Sequence, residues 1–182
     1  LKSVNSDKYF ETYLNMSGLS QDISNMTPGE FERAMHLRKK SKRVRDAALK
    51  NYINGRLGLL IDGTGKDYPK IAKQKNRLQK VGYDCFMIFV NTDLEVALER
   101  NKKRERTLPE KLVKDSWQSV QNNLGKFQGL FGTGNMIIVD NSEFKAFPSI
   151  VKKGANEFIT RKIQNPIAKA WIKKELELRK KK

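Results

Sequence analysis

Short, uninterrupted apolar runs alternate along the chain with longer segments whose apolar residues recur every three or four positions. The clearest runs are residues 57–61 (LGLLI), 83–90 (YDCFMIFV) and 136–139 (MIIV). Each predicts a strand that is buried on both faces, as in a parallel sheet. Residues 1–7 (LKSVNSD) predict one more short strand, which ends in Asn-Ser-Asp.

The segments between these runs predict helices with clear start and stop signals. Residues 27–30 (TPGE) form a capping box with proline at the first helical position, and a long helix should run from there to Asn54-Gly55. Residues 68–81 predict a helix with an inner face of Ile71, Leu78 and Val81. Further predictions are helices over 94–104 and 108–124, a glycine-rich loop over 127–135, and a last helix that begins at Asn165-Pro166.

The alternation of strands and helices favours an α/β fold, a three-layer parallel sheet with flanking helices. We predict one α/β domain over residues 1–164 and a basic carboxyl-terminal helix over 165–182. The carboxyl ends of parallel strands meet at the edge where such sheets bind ligands. Asp7 and Asp62 each follow a predicted strand, so we expect both carboxylates to face that edge.

The charge balance indicates an anionic partner. The formal net charge is +17, from 37 lysines and arginines against 20 acids. Such an excess suits nucleic acid, nucleotide phosphates or acidic protein surfaces. Two segments concentrate it, residues 38–50 and 165–182. Their candidate nucleic-acid-binding residues are Arg38, Lys39, Lys42, Arg43, Lys173 and Lys174.

Other classes of protein are disfavoured by composition. The single cysteine, Cys85, excludes an intrachain disulfide and favours a reducing compartment. No apolar run approaches the roughly 20 residues that a membrane span needs, so no membrane partner is predicted. We expect a protein of the cytoplasm.

Two polar segments are candidates for chemistry. Asp62 is followed by Gly63 and Thr64, a turn in which glycine allows close approach of a ligand; the alternative is an ordinary Asp-Gly turn. Arg100 and Arg104 lie four residues apart, on one helical face, where they can bind two oxygens of a phosphate chain. The alternative there is a solvated basic helix end, stabilised by the helix dipole.

Taken in order, these segments resemble P-loop kinases of the zeta-toxin-like and polynucleotide-kinase-like group, and most closely the phage-encoded zeta-toxin-like kinases. The resemblance rests on residues 5–10 (NSDKYF), 61–65 (IDGTG), 89–101 (FVNTDLEVALERN) and 136–141 (MIIVDN). It implies an ATP- and Mg²⁺-dependent transfer to a hydroxyl of a nucleotide-sugar, a nucleoside or a polynucleotide end. A phage-encoded protein of this group would lie in the host cytoplasm or be associated with a virion.

The resemblance also implies residue roles. Asp7 would orient or deprotonate the accepting hydroxyl, and Asp62 would assist the metal or the substrate. Asn5, Gly63 and Thr64 would contact the substrate, and the lid arginines Arg100, Arg104 and Arg106 would reach the phosphates.

The phosphate loop of these kinases, G-x-x-x-x-G-K-[ST], does not occur in the sequence. In the family it lies between the first strand and the first helix, upstream of the segment that matches Leu1. Either an upstream segment is missing from this chain, or ATP binding has been lost. We expect another segment or a second chain to take the place of the first strand in the sheet. The second hypothesis is a basic nucleic-acid-binding or virion-associated phage protein built on a decayed kinase fold.

Overall fold

The computed structural model describes residues 1–143 and 147–181. Within that range four short strands alternate with seven α-helices. The strands are β1 (Lys2–Val4), β2 (Leu59–Ile61), β3 (Met87–Asn91) and β4 (Met136–Asp140). The helices are α1 (Asp7–Met16), α2 (Pro28–Asn54), α3 (Tyr68–Lys80), α4 (Leu94–Lys102), α5 (Glu110–Phe131), α6 (Phe147–Thr160) and α7 (Pro166–Lys180).

The strands pair in parallel, two by two. In the described residues β1 pairs with β2, Val4 opposite Ile61, and β3 pairs with β4, Phe89 opposite Ile138. The chain divides into a first unit, Leu1–Thr64 with Ala97–Asp115, and a second unit, Gly65–Val96 with Ser116–Lys182. Parallel strands joined through helices confirm the α/β class, while the three-layer sheet stays a prediction.

The first unit is built around the packing of α1 against α2. The capping box that opens α2 is present: the Thr27 hydroxyl accepts a hydrogen bond from the Glu30 N–H, and the Glu30 carboxylate accepts one from the Thr27 N–H. Ala34 and Ser41 are fully buried, so the small residues of α2 mark the face that allows close approach. The buried core residues are Phe10, Leu14, Leu19, Ile23 and Ala34.

The second unit has an aromatic core beneath β3 and β4. Phe127 of α5 is fully buried, and its ring lies 5.5 Å from the ring of Tyr68 and 6.3 Å from that of Phe89. Helix α6 lies against the same strands, where Gly154 allows the close approach of Ile137. The rings of Tyr68, Phe89 and Phe127 therefore join α3, β3 and α5 in one core.

Three expectations about burial and length were wrong. Strands β2, β3 and β4 are not buried on both faces, since Leu60 of β2 is 56% exposed, Val90 of β3 is 43% exposed and Ile138 of β4 is 44% exposed. In a sheet of only two strands, few neighbouring elements are available to cover a second face. Val81 ends α3 as an exposed cap residue rather than joining its inner face. Helix α5 continues to Phe131 through the predicted loop, because the buried Phe127 outweighs the weak helix propensity of the glycines beside it.

The last helix begins as predicted. The Asn165 side chain caps α7 by accepting from the Ile167 N–H, and it donates to the carbonyl oxygens of Gln79 and Tyr83. No residue of α7 is buried. Lys182, the final cation of the predicted basic tail, lies outside the described residues. Among the helices described, none is both long enough and apolar enough to cross a membrane.

Candidate functional site

Polar side chains meet where β1 and β2 end. The Asp62 N–H donates to the carbonyl oxygen of Val4 at 3.2 Å, which carries the parallel pairing one residue beyond the strands. Asn5 then bridges two segments. Its amide nitrogen donates to Asp62 Oδ2 at 2.7 Å, and its Oδ1 accepts from the Asp7 N–H at 2.7 Å. Asn5 thus ties the residue after β2 to the start of α1.

Asp7 is the first residue of α1, and two arginines converge on its carboxylate. Arg38 Nη1 of α2 lies 2.6 Å from Asp7 Oδ1, and Arg106 Nη2, from the segment between α4 and α5, lies 3.0 Å from Asp7 Oδ2. The Asp7 side chain is 35% exposed and that of Arg106 is 14% exposed. A half-open carboxylate is therefore held between two guanidinium groups at a helix start, where negative charge is favoured.

The aromatic ring of Phe10 lies against the guanidinium groups of both arginines. Phe10 lies three residues after Asp7, so both side chains fall on one face of α1. The Cζ atom of Arg38 is 5.0 Å from the ring centroid and that of Arg106 is 6.0 Å from it. The ring is almost completely buried. Cation–π attraction to this ring helps to hold both guanidinium groups beside the Asp7 carboxylate. Arg106 also forms a second ion pair, with Glu11 at 3.7 Å.

The arginines keep Asp7 ionised. Partial burial raises the pKa of the Asp7 carboxyl, but the hydrogen bond and charge of Arg38, followed by those of Arg106, outweigh it and lower the pKa below its ordinary value of 3.8. Near neutral pH the group is therefore a carboxylate, which can accept a hydrogen bond, while the same two cations lower its affinity for a proton. A hydroxyl group that approaches it meets an acceptor already fixed in position.

Two of these contacts differ from the roles assigned by sequence. Arg106 was predicted to bind substrate, and it contacts Asp7. Arg38 was predicted to face nucleic acid, yet it turns inward to the carboxylate. The missed signal is the spacing of the small buried residues: Ala34 and Ser41 lie four residues before and three after Arg38, so all three share the face that packs on α1.

The other predicted site residues are not among the groups that contact the Asp7 carboxylate. The prediction that Arg100 and Arg104 share a helical face is wrong, because α4 ends at Lys102 and Arg104 follows it. Arg104 is exposed, and Arg100 is half-buried and engaged in other contacts. Gly63 and Thr64 are exposed directly after Asp62, and a Cβ on Gly63 would meet no atom within 4 Å. The remaining predicted nucleic-acid contacts are all exposed: Lys39, Lys42 and Arg43 on α2, and Lys173 and Lys174 on α7.

The residues of this site fit a metal ion better than they fit nucleotide phosphates. No cluster of three or more histidine, cysteine or acidic side chains is found among residues 1–143 and 147–181. Mg²⁺ often needs only one or two carboxylates, with water and phosphate completing its shell. The exposed carboxylate of Asp62 fits that need. Phosphates fit less well, because the acid Asp7 begins α1 and the carboxylate of Asp67 caps α3 by accepting from the Lys70 N–H, at helix starts where an anion would need free N–H groups.

Parallel strands that lead into helices define an α/β protein, and its polar side chains lie at the strand ends, where ligands of open α/β sheets bind. A family model described as Zeta toxin matches residues 23–151, more than half of the chain, and the chain belongs to the zeta toxin family. Membership implies a P-loop-kinase-like α/β fold and associates the chain with kinase-like activity. Comparisons with curated proteins and with solved structures gave no match.

The region that matches the family model contains only some of the site residues. It contains Asp62, Arg38 and Arg106, whereas Asn5 and Asp7 precede it. The importance of Asp7 therefore rests on geometry, namely its contacts with two arginines that lie inside the matched region.

Proposed function

We propose that this protein acts in ATP-dependent phosphoryl transfer and that Asp7 receives the proton of the accepting hydroxyl. The observation that supports this most is the Asp7 carboxylate between Arg38 and Arg106, at the carboxyl end of the β1–β2 sheet. Kinase-like activity in the zeta toxin family is consistent with it.

The chemistry asked of Asp7 is a single proton transfer. As the hydroxyl oxygen of the acceptor forms its bond to the terminal phosphorus of ATP, the bond from that phosphorus to the bridging oxygen would break and ADP would leave. The O–H bond of the acceptor breaks as well, and its proton passes to a carboxylate oxygen of Asp7. Asn5 fixes the Asp7 backbone through the 2.7 Å hydrogen bond to its N–H, so the carboxylate needs no reorganisation. ATP with Mg²⁺ would supply the phosphoryl group when bound, and Asp62 would share the metal.

The two arginines gain a second role when Asp7 is protonated. A neutral carboxyl group no longer balances the positive charges of Arg38 and Arg106. Both guanidinium groups then have donors for negative charge on the phosphoryl oxygens, where preorganised cations stabilise a transition state. The ion pairs thus hold the cations in place until negative charge develops beside them.

The acceptor we propose is a hydroxyl of a nucleotide-sugar, a nucleoside or a polynucleotide end. The polar segment after β2 supports an acceptor with several hydrogen-bonding groups. Asn5, Gly63 and Thr64 lie beside Asp62 and are open to solvent or half-buried, so a sugar could reach their polar atoms.

The test is transfer of the terminal phosphoryl group of labelled ATP, with Mg²⁺, to a panel of nucleosides, nucleotide-sugars and 5′-hydroxyl oligonucleotides. Asp7→Asn should lower kcat by roughly 10²–10⁴-fold, the usual contribution of a positioned base. Glu32→Gln is the control, since Glu32 is an exposed acid on α2. Turnover in Asp7→Asn equal to wild type would exclude Asp7 as the base, and no transfer to any member of the panel by the wild type would refute the proposed activity.

A second candidate function is nucleic-acid binding. Lys39, Lys42 and Arg43 are exposed on α2, where spacings of three and four residues place them on one side of the helix. Lys173 and Lys174 are exposed on α7. Such charge exceeds what one nucleotide needs, and it suits contact with successive phosphates.

A further inference from the structure

Arg106 lies in the segment that joins α4 to α5, and its exposure differs from that of its neighbours. Arg104 and Glu105 are exposed, whereas the Arg106 side chain is 14% exposed and contacts Asp7. A long side chain on a connecting segment can take many rotamers, so its fixed position needs an explanation in the backbone that follows it.

The residue after Arg106 is tied to a separate loop. The Thr107 hydroxyl donates a short hydrogen bond to Asp22 Oδ1 and lies 2.8 Å from the hydroxyl oxygen of Ser24. Asp22 is fixed in turn, because its carboxylate also accepts from the Ser24 N–H at 3.1 Å and from the Asn25 side-chain amide at 2.6 Å. We call Asp22, Ser24 and Thr107 the carboxylate latch.

The next residue along the chain is held from the other side. The buried Asn101 side chain of α4 donates to the carbonyl oxygen of Leu108 at 2.8 Å and accepts from the Leu108 N–H at 3.1 Å. Both backbone groups of Leu108 are thus paired by one amide, and its side chain packs against the α1–α2 core. Two independent anchors therefore follow Arg106 directly.

We propose that the carboxylate latch positions Arg106 against Asp7, so that Asp22 and Thr107 are positioning residues of the phosphoryl-transfer site. The inference rests on the proposed function for its catalytic meaning, but the placement of Arg106 is a claim that can be tested without activity. Removing the Thr107 hydroxyl frees the backbone next to Arg106 and lets the guanidinium group leave the carboxylate.

The matched variants are Thr107→Val, which removes the hydroxyl at nearly constant shape, and Thr107→Ser, which keeps it. A cavity of about 340 Å³ borders Thr107 and Asp22, so neither replacement should clash. Asp22→Asn serves as the second latch variant if Thr107→Val fails to fold.

The first readout is the pKa of Asp7, measured by NMR titration of its side-chain carboxyl carbon in the full 182-residue chain. Arg106→Gln gives the shift expected when this guanidinium is lost, an increase, because Arg106 lowers the pKa of Asp7. Thr107→Val should give at least half of that increase and add nothing in the Arg106→Gln background. Thr107→Ser should leave the pKa of Asp7 at its wild-type value.

The second readout is kcat, which should fall about tenfold to a hundredfold in Thr107→Val, as misplacement of a catalytic contact does, and recover in Thr107→Ser. A wild-type pKa of Asp7 in Thr107→Val, or in Asp22→Asn where that variant is used, would overturn the latch, whatever the activity. A raised pKa in a protein that transfers no phosphoryl group would retain the latch and refute the proposed function. A raised pKa with unchanged kcat would overturn the positioning role.

Discussion

Asp7 occupies the junction between β1 and α1, where its carboxylate is attracted both by a helix start and by two guanidinium groups. Arg38 is at 2.6 Å and Arg106 at 3.0 Å, and Phe10 supports both cations. An ordinary surface carboxylate is paired with one cation at most and is free to rotate. The doubly paired Asp7 is therefore a preorganised group, which is what a proton acceptor or a ligand-binding carboxylate requires.

The ion pairs of Asp7 should make stability depend on pH in a definite direction. The carboxyl has a lowered pKa in the folded state, so its stabilisation is present above its ordinary pKa of 3.8 and is lost as the pH falls through the folded value. In urea unfolding measured from pH 7 to about pH 3, the free energy of unfolding should therefore decrease toward acid, and Asp7→Asn should remove part of this decrease.

Other acids contribute to the same slope, so the comparison has to be made between variants. Asp22, whose pKa is lowered to about 2 by hydrogen bonds from Ser24 and Thr107, also favours the folded state above its ordinary pKa. Glu32→Gln should keep the wild-type slope. If Asp7→Asn had the same slope as Glu32→Gln, the two arginines would not act on Asp7 in solution.

At the scale of elements, the sequence predicts structure well wherever a local signal is complete. The capping box at residues 27–30 opens α2, Asn165-Pro166 opens α7, and the apolar run at 136–139 becomes β4. Each signal consists of neighbouring residues whose hydrogen bonds or apolar contacts need little help from distant parts of the chain. These elements were confirmed for that reason.

Features that depend on tertiary packing were predicted poorly. The apolar run before Asp62 gives a strand whose Leu60 is exposed, because no residue pattern tells how many strands will flank it. The first part of the predicted glycine-rich loop, as far as Phe131, remains helical because the Phe127 ring is buried. Arg38 was grouped with the solvated cations of α2, since only the fold brings Asp7 of α1 to it.

Helix α5 also fixes the turn that follows Asp62, and this yields a stability prediction. Asn123 is buried, and its amide donates to the carbonyl oxygens of Gly65 at 3.1 Å and Lys66 at 3.0 Å. Asn123→Ala should lower the free energy of unfolding by about 1–3 kcal/mol, because buried polar groups lose their partners.

The neighbouring Asn122 supplies the matched control. It is exposed and accepts one hydrogen bond, from Gln118 at 3.0 Å, so Asn122→Ala should change stability by less than about 0.5 kcal/mol. Both variants are measured by urea unfolding at pH 7. Equal effects of the two alanines would mean that the contacts of Asn123 with the turn do not stabilise the folded protein.

At the scale of the whole molecule, the excess charge is divided between inward and outward cations. Arg38 and Arg106 balance an acid, whereas Lys39, Lys42 and Arg43 are exposed on α2. The cations behind the net charge of +17 therefore serve two places: some pair with Asp7, and others lie on surface that is open to polyanions. The two roles can be separated by substitution.

Replacing Lys39, Lys42 and Arg43 together by glutamine should weaken binding to duplex DNA and reduce its salt dependence. The slope of log affinity against log salt concentration is negative, and three lost phosphate contacts should make it less steep by roughly 2–3. The measurement is a fluorescence titration with a labelled oligonucleotide across a salt series, with Glu32→Gln as the control. An unchanged affinity and slope in the triple variant would leave the nucleic-acid alternative without the support of α2.

The most direct test of the site as a whole compares two arginines of one helix. Arg38 contacts Asp7, and Arg33, five residues earlier on α2, is exposed. In the phosphoryl-transfer assay with labelled ATP, we expect Arg38→Gln to lower kcat by roughly 10²–10³-fold, the effect of removing one preorganised donor, while Arg33→Gln stays within about twofold of wild type. Wild-type turnover in Arg38→Gln, or equal losses in both variants, would contradict the assignment of Asp7 and its arginines as the functional site.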